Sequence, residues 1–123
     1  MAGGEEVKHI CVYASSSDAL DACYFAAARA FGALLARRGG TLIFGGGCIG
    51  LMGEAARAVH AGGGRVVGVI PDRLVLPGVA YESADELIVT PDMRTRKATM
   101  EARAEAFVAL PGGIGTLEEV LEV

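Results

Sequence analysis

The sequence predicts an α/β fold: a doubly wound parallel sheet of about five strands with helices on both faces. Three observations lead there. Short β-branched runs alternate with longer runs whose apolar residues recur at spacings of three and four. Glycine clusters stand where strands hand over to helices. The 123 residues, 52 % hydrophobic and 21 % charged, suffice for one packed domain over 1–123 and exclude wholesale disorder.

The elements follow in order. Val7 to Ala14 reads as a buried strand, and Ser15-Ser16-Ser17-Asp18 offers capping side chains. Leu20, Cys23, Tyr24, Ala27, Phe31, Leu34 and Leu35 then mark one face of a long helix that Gly39-Gly40 ends. Thr41 to Phe44 is a second strand, Gly45 to Gly50 a loop, and Leu51 to Ala61 a second helix stopped by Gly62-Gly63-Gly64. Arg65 to Ile70 is a third strand. Pro71 to Ala84 is irregular, and Glu86 to Val89 is a fourth strand. A third helix opens at Thr90-Pro91-Asp92, with Pro91 suited to a first helical position. Phe107 to Leu110 is a fifth strand, and a second glycine loop, Pro111 to Gly115, leads into a last helix near Thr116. That helix stops at Leu121-Glu122-Val123 without a glycine, proline or basic residue, so the chain reads as cut short. The uncovered fifth strand and last helix are expected to find a partner.

Composition narrows the function. A net charge of −4 argues against nucleic acid as the main partner, since phosphate neutralisation needs a basic surface. Apolar stretches end well short of the ~18 residues a membrane span requires. The acidic start Met1 to Glu6 lacks a secretory signal, and Cys11, Cys23 and Cys48 form no C-x-x-C pair. We read a cytoplasmic protein with reduced thiols. No zinc motif and no Gly-x-Ser-x-Gly elbow occur.

In parallel sheets, ligands sit at the carboxyl ends of the strands, where both glycine loops fall. The first satisfies G-x-G-x-x-G with Gly45, Gly47 and Gly50, and Asp72 follows 22 residues after Gly50. It follows the second strand, whereas a dinucleotide fingerprint follows the first. A phosphate contact or close backbone approach, a dinucleotide, and simple packing all remain open for it. In the second loop, backbone N–H groups at Gly113, Gly115 and Thr116 can converge on a phosphate beside a helix N-terminus. Glu119, three residues after Thr116, completes a capping box or faces the ligand. Arg94, Arg96, Lys97 and Arg103 make the third helix a basic patch, either solvated or turned to a ligand. Placed at the end of the fourth strand, that helix is expected beside the second glycine loop, on adjacent strands at one sheet edge. His9, His60 and Cys48 lack ligand-spaced partners and read as structural.

Three segments together resemble one family: Gly45-Gly46-Gly47-Cys48-Ile49-Gly50-Leu51-Met52-Gly53, Met93-Arg94-Thr95-Arg96-Lys97-Ala98-Thr99-Met100, and Pro111-Gly112-Gly113-Ile114-Gly115-Thr116-Leu117-Glu118-Glu119. They resemble the Lonely Guy family of cytokinin riboside 5′-monophosphate phosphoribohydrolases, also labelled "possible lysine decarboxylase". The resemblance implies a Rossmann-like fold, a homodimer, and hydrolysis of the N-glycosidic bond of adenine-type nucleoside 5′-monophosphates. It implies no cofactor. It implies Arg96 and Glu119 as the catalytic pair. Lys97, Gly112, Gly113, Ile114, Gly115, Thr116, Leu117 and Glu118, with Gly46 and Gly47, are the implied substrate contacts. The chain departs from the family pattern at Arg94, Ser15 and Gly78, where histidine, glycine and an acidic residue are usual. Members also run some tens of residues further. Two other classes stay open: a non-catalytic nucleotide carrier, and a dinucleotide-dependent oxidoreductase using the first loop.

Overall fold

A computed structural model describes residues 9–13 and 22–110. Its order is β1 (His9–Tyr13), α1 (Ala22–Arg37), β2 (Thr41–Phe44), α2 (Gly50–Ala61), β3 (Arg65–Pro71), β4 (Glu86–Thr90), α3 (Met93–Arg103) and β5 (Ala106–Ala109), with a 3-10 turn at Asp72–Leu74. The five strands form one sheet, ordered β4-β3-β2-β1-β5, in which every neighbouring pair is parallel. The expected α/β architecture is therefore present. The capping residues Ser15 to Asp18, the second glycine loop and the last helix lie outside the described residues.

Alternation along each strand divides the core in two. Val12, Leu42, Phe44 and Val66 face α1 and α2, together with Leu51, Ala55, Ala56 and Val59. Cys11, Tyr13, Ile43, Val67 and Val69 face the other way, onto Met100 of α3. Near-continuous apolar strands are what a sheet covered on both faces requires. The geometry follows from right-handed crossovers. The chain steps from β1 to β4 in one direction, then α3 carries it back beneath the sheet to β5.

That return corrects one expectation. β4 and β5 are not adjacent: they are the two opposite edges of the sheet. The reversal of strand order falls between β1 and β5, where Leu110 N–H donates to Tyr13 O at 2.9 Å.

The buried face of α1 keeps Leu35 and part of Phe31 from the stripe its apolar spacing marks, but not the rest of it. Ala28, Gly32 and Leu35 are buried, whereas Cys23, Tyr24, Ala27 and Leu34 are exposed and Phe31 is half-buried. Small residues decide the contact. A Cβ at Gly32 would lie 2.6 Å from Ala55 O and 2.7 Å from Ala58 Cβ on α2. The two helices meet backbone to side chain, which counting large apolar letters does not reveal.

At α3, Pro91 is not the first helical residue. Asp92 is the N-cap, and its carboxylate accepts Thr95 N–H at 2.7 Å. That bond holds the Asp92 carboxyl below its ordinary value.

Gly32→Val overpacks the α1–α2 contact and is expected to cost about 1–3 kcal/mol. Urea denaturation followed by circular dichroism would show a lower midpoint at unchanged slope, and an unchanged midpoint would contradict the contact.

Candidate functional site

The first turn of α3 delivers Arg96 to the underside of the sheet, where it is 7 % exposed. Its Nε donates to Val69 O at 2.9 Å, and its Nη2 donates to Gly45 O at 2.5 Å. Nη1 lies 3.7 Å from Met93 Sδ. A guanidinium stays charged at any ordinary pH, so two carbonyl dipoles aimed at it compensate part of its desolvation. Arg96 thereby joins α3 to the end of β3 and to the first glycine loop. Glycine at 45 leaves room for this contact: a Cβ there would overlap the guanidinium and displace it.

The rest of that loop is folded in on itself. Gly46 has φ +82° and packs on Ile70, and Gly68 leaves room for the Gly46 Cα, 3.1 Å from where its own Cβ would be. Gly47 N–H points to Met52 Sδ at 3.2 Å, and Cys48 N–H donates to Val79 O at 2.9 Å. The loop then enters α2 at Gly50, φ +67°, with Ile49 as a cap that makes no side-chain hydrogen bond. Two of its amides are therefore engaged within the chain. Of the readings open for this loop, close backbone approach is the one the geometry displays. The dinucleotide reading gains nothing, because the loop follows β2, one strand away from the reversal of strand order.

The irregular segment after β3 is a strap laid over this loop. Gly47 and Ala80 form an antiparallel bridge, Tyr81 N–H donates to Gly46 O at 2.7 Å, and Cys48 Sγ lies 3.1 Å from Gly78 O. Cys48 thus joins the loop to the strap, a contact in keeping with the structural reading of this residue.

On the outer side of α3, Met93, Arg94, Lys97, Ala98 and Glu101 line a shallow open depression. Lys97 is half-buried and Arg94 exposed. The basic patch is divided by function of position: Arg96 points inward, Arg94 and Lys97 line the depression, and Arg103 pairs with Glu86 at 2.9 Å. That pairing lowers the Glu86 carboxyl and raises the Arg103 guanidinium.

Among sequence-predicted site residues, the structure places Arg96, Lys97, Gly46 and Gly47 at the carboxyl end of the sheet. Gly112, Gly113, Ile114, Gly115, Thr116, Leu117, Glu118 and Glu119 lie outside the described residues. The chain leaves Leu110 at the end of β5, two strands or about 10 Å from β2, under which Arg96 sits. Sequence reasoning took His60 as structural and did not single out its partners Tyr81 and Asp85. His60 Nδ1 lies 2.6 Å from Tyr81 OH, and His60 Nε2 lies 2.9 Å from Asp85 Oδ2. Separations of 21 and 25 residues carry no periodic signal that could have announced them. His9 instead meets Glu105 at 3.5 Å, at the opposite end of β1 from the glycine loops.

Among the described residues, no group of three or more His, Cys, Asp or Glu could hold a metal, and no helix is long and apolar enough to cross a membrane. The fold and site define a class: an α/β protein with a buried arginine at the carboxyl end of a parallel sheet, the end at which such folds bind ligands. The chain belongs to the family described as "Possible lysine decarboxylase", whose model matches residues 52–123. Over 116 residues, 94 % of the chain, it is 49 % identical to a cytokinin riboside 5′-monophosphate phosphoribohydrolase of Oryza sativa subsp. japonica, covering 48 % of that protein. It is 46 % identical to one of Arabidopsis thaliana over the same length, covering 51 % of it. The chain thus spans about half the length of the curated relatives it matches. Among solved structures it is similar to a Moco carrier protein of Chlamydomonas reinhardtii, with TM-score 0.78, 27 % identity, and coverage of 94 % of this chain and 68 % of that one. A molybdenum cofactor binding protein of Rippkaea orientalis superposes with TM-score 0.80 at 24 % identity, covering 96 % and 71 %, which shows the shared fold.

Arg96→Met keeps apolar volume but strands two buried carbonyls, at about 1–3 kcal/mol for each. Thermal unfolding monitored by circular dichroism should show a marked fall. A variant as stable as the parent would remove Arg96 from its role as a tie.

Proposed function

We propose that the protein hydrolyses the N-glycosidic bond of adenine-type nucleoside 5′-monophosphates, releasing free base and ribose 5-phosphate. The observation that supports this best is the 46–49 % identity, over 116 residues, to proteins named cytokinin riboside 5′-monophosphate phosphoribohydrolases. Water attacks the anomeric carbon as the base departs, through an oxocarbenium-like state. Glu119 stabilises that positive charge or activates the water. Arg96, fixed in direction by Gly45 O and Val69 O, presents a permanent positive charge beside the first glycine loop. It polarises the departing base or anchors the ribose phosphate, and it does not donate a proton. Gly113, Gly115 and Thr116 receive the phosphate, with Lys97, Gly112, Ile114, Leu117 and Glu118 around it. No cofactor is needed for this hydrolysis. A lysine decarboxylase would need pyridoxal phosphate and a Schiff-base lysine. The sequence has two lysines, Lys8 and Lys97, and Lys97 lies among arginines in the nucleotide motif.

A carrier of the same fold is the second reading, favoured by the likeness to the Chlamydomonas reinhardtii Moco carrier protein. The two readings separate on turnover. Incubation with AMP or a cytokinin riboside 5′-monophosphate should release free base, quantified by chromatography. Glu119→Gln should lower that rate roughly a hundredfold or more, because glutamine fills a capping box but carries no charge. Near-parental turnover in Glu119→Gln would leave the capping role alone, and binding without release of base would favour the carrier.

The reading extends to a homodimer in the cytoplasm. Three cysteines, an odd number with no C-x-x-C pair, suit a reducing compartment. Val89 and Phe107, on the two edge strands, are 51 % and 40 % exposed. Light scattering at micromolar concentration is expected to give twice the chain mass, and a monomer would overturn the assembly.

A further inference from the structure

Beside the Arg29–Glu54–Arg57 chain, whose Arg57 Nη1 donates to Cys48 O at 2.7 Å, the described residues hold a second polar chain that the catalytic reading does not use. It begins at the amino end of the sheet. Asp85 Oδ2 accepts Val66 N–H at 2.7 Å and meets His60 Nε2 at 2.9 Å. These bonds hold the Asp85 carboxyl below its ordinary value, the Val66 amide contributing most. His60 Nδ1 lies 2.6 Å from Tyr81 OH. With a neutral imidazole, every donor finds an acceptor: Nε2–H donates to the carboxylate and the phenol donates to Nδ1. The Tyr81 ring is clamped between Phe44, edge-on at 5.9 Å, and His60, stacked at 5.5 Å. Burial pushes its phenol pKa up.

The backbone of Tyr81 ends the chain at the other side of the molecule, donating to Gly46 O. Its neighbours Ala80 and Val79 complete the clip on Gly47 and Cys48. The strap's outer residues Val75 to Gly78 are exposed. Its hold on the glycine loop therefore runs through residues 78–81, and Tyr81 is the member also fixed to α2 and, through Asp85, to β3.

We propose that Asp85, His60 and Tyr81 form a brace that positions the first glycine loop, acting as positioning residues for nucleotide binding at the carboxyl end of the sheet. Apolar packing alone would bury the Tyr81 ring. The fully satisfied polar chain adds a fixed register between strap and loop, because a slip of one residue would unpair it. Arg96 secures the loop from below through Gly45, and the brace secures it from above through Gly46. The ligand part of this inference rests on the nucleotide reading given above.

Tyr81→Phe keeps the ring and removes the hydroxyl. Asp85→Asn keeps an acceptor for Val66 N–H and removes the charge, and it serves if the first variant folds poorly. Hydrogen exchange at the amides of Cys48 and Tyr81 should quicken about five- to tenfold, with Ile43 and Val67 in the sheet unchanged. The AMP dissociation constant, by calorimetry, should rise by a similar factor. Unchanged exchange at Cys48 and Tyr81, or equal quickening at all four amides, would overturn the brace. So would unaltered AMP affinity in a variant of a parent that binds AMP. If the parent does not bind AMP while the local exchange pattern appears, the nucleotide reading fails and the brace stands.

Discussion

A permanent positive charge buried beneath the ends of two strands governs the layout of this molecule. Once Arg96 is committed to Val69 O and Gly45 O, α3 cannot rotate or slide without stranding the charge. A side chain at residue 45 would push the guanidinium out of this position. An isolated buried cation is costly, and carbonyl dipoles offset that cost only if their positions are rigid. Rigidity at this point comes from elsewhere: the packing of α1 on α2, the approach of Gly68 to Gly46, and the strap across the loop.

The two faces of the sheet carry different duties. The face under α1 and α2 is closely packed around small residues, with Gly32, Ala55 and Ala56 buried at the helix contact. It also receives Tyr81, so the strap becomes part of that core. Among the described residues, the opposite face holds α3, which crosses from one edge of the described sheet to the other. That helix buries Met100 and Arg96 and leaves Arg94 and Glu101 outside. A helix so polar would not hold to the sheet by its apolar content alone. Arg96 and the Asp92 cap supply the difference, one by a charge-assisted tie and one by ending the helix on an amide.

Most of the architecture was legible because it rests on local signals. Strand runs such as Val66 to Ile70 are continuous apolar blocks, and Gly62-Gly63-Gly64 stops α2 where expected. What escaped depended on distance through space. The pairing of β5 with β1 instead of with β4 is a property of the crossover, and no residue in either strand announces it. The α1 face was misjudged because glycine and alanine carry no hydrophobic weight yet permit the closest approach. At the site, the importance of Arg96 was readable only through its motif. Its inward direction and its carbonyl partners, 27 and 51 residues away, were not. The Tyr81–His60–Asp85 chain left no trace at all, since its members sit in three unrelated contexts.

The placement of β5 has a consequence for how the molecule comes into being. β1 pairs with β2 across about one helix of chain, His9 with Thr41, but its other side pairs with a strand that starts at Ala106. During synthesis the amino-terminal strand must wait with one flank open until nearly all of the described chain has emerged. Contacts of such long sequence separation are slow to close and leave an unsatisfied edge exposed meanwhile. Among the described strands, the β1–β5 pairing is thus the last to form. A nascent chain completes the carboxyl end of this described sheet only after the helices that support it have emerged.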